Sequence, residues 1–332
     1  MILERERSRR CFVCAAAMLA PSDRRLIDAR GRERAFPMAC HSCGVLTERD
    51  ADPAGNWRDL AGRLAAPTFV PDPDGAYGLD IYTLRTAATR LGRGLRPLGP
   101  DDRAALLAPH SPLAARAELY DLADGPPVSL GLLCRPAELD AVLAGLASQA
   151  GWTDDVAILL DGEAAPLRAI PVAGFAEGAV RMAVRPLAGD FAAQRNALQD
   201  LARHAWMLQL DADETLAPET GRLLPALAAL AEDGDVFSVG LPRCNRVDGI
   251  MSDVYPDVQY RLNRVPVRYA GRVHERPALD GGWRRSLIAL HGAIEHRLSR
   301  DHVRARSRAY EALDPGRGRL EEEETLLRPY RA

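Results

Sequence analysis

The chain has 332 residues, 47% of them hydrophobic and 27% charged, with a formal net charge of −3. That balance excludes a non-specific nucleic-acid binder, which needs a basic excess, and supplies a core for one large domain or two smaller ones. No apolar run reaches the roughly 18 residues that span a bilayer. The charged segment Met1–Arg10 lacks the apolar stretch of a secretory leader. A cytoplasmic protein is expected, with peripheral contact at the inner face of a membrane left open.

The first element is a cysteine framework. Cys11-x₂-Cys14 and Cys40-x₂-Cys43 carry the spacing of a zinc ribbon, in which each turn presents two thiolates to one tetrahedral ion. Structural Zn²⁺ on these four is expected, within a module spanning 1–52. Two unrelated pairs of buried or redox-active thiols are the alternative. Gly44 suits the tight turn after the second pair, and Asp28–Arg32 reads as a turn between short strands. His41 reads as a neighbour of the site, since four cysteines already complete it. Cys134 and Cys244 read as buried thiols.

Residues 53–127 form a helical and loop-rich connecting region. Prolines and glycines from Pro67 to Gly78 mark a loop, and Leu79–Leu91 has helical spacing. Ala104–Leu107 and Leu113–Leu122 are expected as further helices. Gly125-Pro126-Pro127 is a stiff stop and marks a domain boundary. Strands and helices then alternate. Val128–Cys134, Val156–Leu160, Val180–Val184, Trp206–Leu210 and Val236–Leu241 read as strands. Pro136 opens one helix, Asp190 caps another that runs to about Ala205, and residues 215–232 form a third, bent or split at Pro225. Strand–helix–strand order implies a parallel sheet with ligands beyond its carboxyl ends. Asp161 and Asp211 both lie at such ends. Residues 301–332 form a helical or disordered tail. Arg297–Arg308 reads as a basic helix face and Glu321–Glu324 as a solvated acidic run.

The chemistry concentrates in Asp211-Ala212-Asp213-Glu214. On an extended backbone residues i and i+2 face the same way, so Asp211 and Asp213 converge on one hard cation. Oxygen ligands and a half-open sphere suit Mg²⁺ or Mn²⁺ holding a diphosphate.

Two blocks carry a resemblance: DFAAQRNALQDLARHAWMLQLDADE (Asp190 to Glu214) and YPDVQYRLNRVPVRYAGRVHERP (Tyr255 to Pro277), which ends in Val273-His274-Glu275. Over residues 128–300 the chain resembles family 2 glycosyltransferases of the GT-A fold. The resemblance implies an α/β domain with a Rossmann-like, mostly parallel sheet flanked by helices. It implies an inverting, metal-dependent transfer of sugar from a nucleotide-sugar donor to a saccharide, lipid-linked or protein acceptor, as in surface polysaccharide, lipopolysaccharide or protein glycosylation. Asp211, Asp213 and His274 would then hold Mg²⁺ or Mn²⁺. Glu275 would be the general base, with Glu214 as the alternative base or a support for the loop. Asp161, Asp190, Arg195, Asn196 and Arg261 would face the donor. Trp283 suits sugar stacking or a turn anchor, and His296 a metal or phosphate contact.

Two departures stand against the family pattern. Gly162-Glu163-Ala164-Ala165-Pro166 replaces a hydroxyl-rich Gly-Ser-x-Asp-Gly-Thr run, and Cys134-Arg135-Pro136-Ala137-Glu138 replaces a polar Lys-Asn-Glu. They motivate a rival: a GT-A scaffold with weak or no activity, acting as an adaptor through its zinc module. Methyl transfer ranks below both, because no glycine-rich S-adenosylmethionine loop accompanies the cysteine pairs.

Overall fold

A computed structural model of the protein describes residues 10–17, 19–318 and 320–331. Residues 1–9 of the charged N-terminal segment, and the Glu321 side chain of the acidic run, lie outside that description. The chain divides into two units. One runs to Leu122 and takes in Ile288–His291; the other comprises Ala123–Leu287 and Gly292–Arg331. No helix among the described residues is long and apolar enough to cross a membrane.

In the first unit, strands Leu19–Pro21, Met38–Cys40, Leu46–Thr47 and Tyr77–Gly78 form one sheet in that order. The hairpin Arg25–Ile27/Glu33–Ala35 turns over Asp28, whose side chain accepts from the Arg30 and Arg32 amides. Helices Pro53–Ala65 and Ile81–Thr89 are capped by Asp52 and Asp80. The cysteines share one apolar core with Leu60, Leu64, Leu84 and Leu119. The expected helix over Leu113–Leu122 is instead the strand Ala117–Asp121, central in a three-stranded sheet. Its buried residues alternate, Ala117 and Leu119 inward with Glu118 outward, which is a period of two and not of 3.6. The helix expected at Ala104–Leu107 spans Pro100–Ala105.

In the second unit we number the elements in chain order. They are β1 (Val128–Cys134), α1 (Leu139–Leu146), β2 (Val156–Leu160), β3 (Ala165–Ala169), β4 (Val180–Val184), α2 (Phe191–Gln199) and β5 (Trp206–Asp211). There follow β6 (Glu214–Leu216), α3 (Pro218–Asp233), β7 (Ser238–Leu241), β8 (Arg243–Val247), β9 (Ile250–Met251) and β10 (Gln259–Arg264). The last are β11 (Arg268–Ala270), β12 (Arg276–Ala278), β13 (Ser286–Ile288), β14 (Ile294–Leu298), α4 (Arg300–Leu313) and α5 (Leu320–Leu327). The main sheet has eight strands in the order β3-β4-β2-β1-β5-β10-β7-β13. Strands β4, β2, β1 and β5 run parallel, whereas β3, β10 and β7 pair antiparallel with their neighbours. The sheet is therefore mixed, which corrects the mostly parallel expectation. One of the antiparallel strands, β10, comes from the second motif block and pairs directly with β5.

β5 is the pivot. Five consecutive residues, Trp206 to Leu210, are buried, as a strand covered on both faces requires. Each large apolar side chain so buried contributes about 1.5–3 kcal/mol. α2 begins where expected: Asp190 accepts from the Ala193 amide at 2.9 Å. It ends at Gln199 and not near Ala205. The Gln199 side chain donates to the Arg264 carbonyl at 3.0 Å and accepts from Gln209, and the chain then turns into β5. α3 remains one helix, with Pro225 inside it. A second sheet, in the order β6-β14-β8-β9, sits beyond the end of β5, with Glu214 in register with His296 and Asn245 with His296.

Candidate functional site

The four cysteines of the first unit are buried, and their sulfurs all lie within 4.8 Å of one another. Cys11 and Cys43 sulfurs are 3.6 Å apart, and those of Cys14 and Cys40 are 3.7 Å apart. Zn–S bonds of about 2.3 Å in a tetrahedron place sulfurs about 3.8 Å apart, so the set fits zinc. Both turns close alike: the Ala15 amide donates to the Cys11 carbonyl and the Gly44 amide to the Cys40 carbonyl. Gly44 takes φ +90°, and a Cβ there would lie 2.7 Å from Thr83 Oγ1. Hydrogen bonds among the thiols hold Cys40 far below the ordinary thiol range and push Cys11 and Cys43 up. A divalent ion taking four thiolates removes that inequality.

The second unit holds a cavity of about 550 Å³. It opens at the carboxyl ends of β1, β2 and β5, where Cys134, Asp161, Asp211 and Asp213 line it. The two acidic residues at the end of β5 have different surroundings. The strand stops at Asp211, and Asp213 lies in the turn before β6. Asp211 is gripped by two arginines. Arg195 Nη2 donates to both of its oxygens at 2.8 and 2.9 Å, and Arg261 Nη2 donates to Oδ2 at 2.9 Å. Burial pushes the Asp211 carboxyl up to about 8; Arg195 pulls it back, while Glu214, Glu275 and Asp213 push the same way as burial. Burial also opposes the Asp213 carboxylate, but its bond to His296 holds it below the ordinary range. The two carboxyls are thus shifted in opposite directions.

Arg195 is 2% exposed and also donates from Nε to Glu275 Oε1. Arg261 Nη1 approaches the same oxygen at 3.7 Å. Glu275 is itself one of the residues that line the cavity. Glu214 is fully buried. It accepts from Arg243 at 2.8 Å and from the Asp211 amide at 3.1 Å, so its contacts are those of a loop support. His274 lines the cavity in a left-handed conformation, φ +51°, which few non-glycine residues adopt. Its ring meets Tyr310 edge-on, with centroids 5.2 Å apart.

The other expected residues divide between the cavity and its scaffold. Asp161 lines the cavity and accepts from the Leu187 amide at 2.8 Å. Asp190 is the cap of α2. Asn196 is spent on β11, donating to the Tyr269 carbonyl at 3.0 Å and accepting from its amide at 2.7 Å. Trp283 is 55% exposed and is not among the lining residues. His296 lines the cavity, bonded to Asp213 and Asn245.

Sequence reasoning missed Arg243, Asn245 and Asp257, and the face of α4. That helix turns His302, Ala305, Arg306, Ala309 and Tyr310 to the cavity. Their spacing of three and four is a helical stripe and was the available signal. Six arginines and eight acidic residues line the cavity, so its charges are nearly balanced with a small acidic excess. Among the described residues only the cysteines form a group of three or more metal-ligating side chains. Asp213 and His296 offer two donors, which leaves most of an octahedral sphere to a ligand such as a diphosphate.

No family model and no curated protein sequence matches the chain. Among solved structures, S. aureus TarS is similar over 57% of this chain and 40% of its own, at 10% identity and a TM-score of 0.32. TarS residues 1–349 in complex with UDP match over 56% of this chain and 65% of theirs, at 11% identity and a TM-score of 0.34. The same fragment with UDP-GlcNAc matches over 56% and 64%, again at 11% and 0.34. The chain thus spans less than two thirds of these neighbours' lengths, and likeness at this level carries no functional inference.

Proposed function

We propose that the second unit is a metal-dependent, inverting glycosyltransferase that moves a sugar from a nucleotide-sugar donor to an acceptor hydroxyl. One observation carries the reading. Asp161, Arg195, Asp211, Asp213, Arg261, His274 and Glu275, from three separate stretches of chain, line one cavity at the carboxyl ends of a sheet. In this reading Asp213 and His296 hold Mg²⁺ or Mn²⁺. The ion supplies charge neutralisation to the leaving diphosphate. Glu275, which lines the cavity with Oε1 held by Arg195, takes the proton of the acceptor hydroxyl. That oxygen then bonds to the anomeric carbon as the carbon–phosphate-oxygen bond breaks. Asp161 contacts the nucleotide, and Arg195 and Arg261 keep Asp211 and Glu275 in place. Asp190, Asn196 and Glu214 hold the frame.

The test is a thermal-shift screen of nucleoside diphosphates and nucleotide sugars with and without Mn²⁺, since a ligand that binds only the native state raises Tm. The best hit is then assayed for turnover. Asp213→Ala is expected to lower turnover by about 10²–10³-fold, the several kcal/mol that a Lewis-acid ion supplies. A second reading has its own observation: the run Gly162–Pro166 after Asp161 lacks the hydroxyls that resemblance calls for. An adaptor scaffold predicts no Mn²⁺-dependent shift and no turnover to lose.

A further inference from the structure

His296 is 2% exposed and makes two polar side-chain contacts. Nδ1 lies 2.6 Å from Asn245 Oδ1, and Nε2 lies 3.2 Å from Asp213 Oδ2. Which nitrogen bears the proton is settled further along the chain of contacts. Asp257 Oδ2 accepts from Arg243 Nε and Nη2 at 2.9 and 2.8 Å and from Asn245 Nδ2 at 2.7 Å. A carboxylate paired with a guanidinium can only accept. The NH₂ end of Asn245 must therefore face Asp257, and its carbonyl must face His296. That carbonyl also only accepts, so His296 Nδ1 donates. Nε2 is then the nitrogen turned toward the Asp213 carboxylate, and the two potential ligand atoms lie 3.2 Å apart. The separation is close to the edge of an octahedron with bonds of about 2.1 Å, which is about 3.0 Å.

We propose that Arg243, Asp257 and Asn245 are a positioning relay that fixes His296 as an Nε2 donor beside Asp213, making a mixed nitrogen–oxygen site that prefers Mn²⁺ to Mg²⁺. Imidazole suits the transition ion, whereas Mg²⁺ favours oxygen donors. Metal-bound histidines commonly donate their other N–H to a carboxylate or carbonyl. Here an amide is interposed, and Arg243 orients the carboxylate behind it. The register explains the arrangement: Asn245 on β8 and His296 on β14 are Cα partners in a parallel pair, and Asp257 lies just before β10. The proposal borrows from the glycosyl-transfer reading only the identity of the ligand that completes the sphere.

The experiment is a Mn²⁺ titration of the full chain followed by loss of the free-ion electron-paramagnetic-resonance signal, with Mg²⁺ as competitor. Spin-echo spectra of the bound ion report nitrogen coordination directly. The unmodified protein is expected to bind Mn²⁺ with a ¹⁴N modulation that His296→Ala abolishes. Asn245→Ala and the isosteric Asp257→Asn are expected to weaken Mn²⁺ binding by about 10–100-fold, the usual effect of losing a partner behind a metal ligand. The Mn²⁺-over-Mg²⁺ preference should fall with it, a change that a merely structural role would not produce. Bound Mn²⁺ without nitrogen coupling, an unchanged preference in Asp257→Asn, or no Mn²⁺ binding with or without a nucleoside diphosphate would each overturn the relay. Mn²⁺ binding as expected, together with no response to any nucleotide, upholds the relay and overturns the sugar-transfer reading instead.

Discussion

The two units present opposite ways of arranging ligands. The cysteine cluster is closed and uniform: four buried sulfurs at mutual distances that already match a tetrahedral ion. The cavity of the second unit is open and mixed. One of its aspartates is bound up with arginines, and the other stands beside a histidine. A closed soft site serves folding, because nothing further can bind. An open hard site serves chemistry, because most of its sphere is supplied from outside.

That contrast can be broken most forcefully at the cysteines. Cys40→Ser is expected to abolish stoichiometric zinc in elemental analysis and to unfold the core that the cysteines share with Leu60 and Leu84. Structural zinc in small modules is worth about 10 kcal/mol or more in apparent folding energy. Unchanged zinc content would remove the closed-site half of the comparison. A smaller effect is expected from Arg195→Ala, measured by urea denaturation. It leaves Glu275 and Asp211 with Arg261 alone, and breaking buried pairs costs about 3–5 kcal/mol. Asp211 is 32% exposed, so the lower end of that range applies. Arg195→Lys should not rescue, because one ammonium cannot bridge two carboxylates as the forked guanidinium does. A loss below 1 kcal/mol would mean that the arginines are not what holds the acidic pair. The smallest change is Asp190→Ala, expected to cost about 1 kcal/mol through loss of the α2 cap, with Asp190→Asn close to neutral.

The parts of this molecule visible in the sequence are those where local pattern and tertiary role coincide. Trp206 to Leu210 is apolar but for Gln209 and ends at Asp211, so the strand and the acidic residue that closes it were legible. The cysteine spacing was legible for the same reason. Arg195 is expected to face a donor, yet it is buried and paired, because its counter-ions arrive from β5 and from the loop before β12. No local rule shows that. The strand Ala117–Asp121 was misread because its short alternation, Ala-Glu-Leu-Tyr-Asp, is embedded in a leucine- and alanine-rich stretch that suits a helix equally well. His296 sits between Ile294 and Leu298, and all three are buried on one face of β14. A polar residue at an inward strand position was the usable clue. Asn245 and Asp257 offered none, since their meaning lies in a register between distant strands.

Ala305 and Ala309, one turn apart on α4, face the cavity between His302, Arg306 and Tyr310. Neither carries charge or a hydrogen bond, so what they contribute is empty space. Two methyl groups thus act as a size gauge on one wall, and bulkier replacements would trim the guest without disturbing a single ionised group. In the proposed reaction, selectivity for molecular girth would in this way be separable from the residues assigned to proton and phosphate.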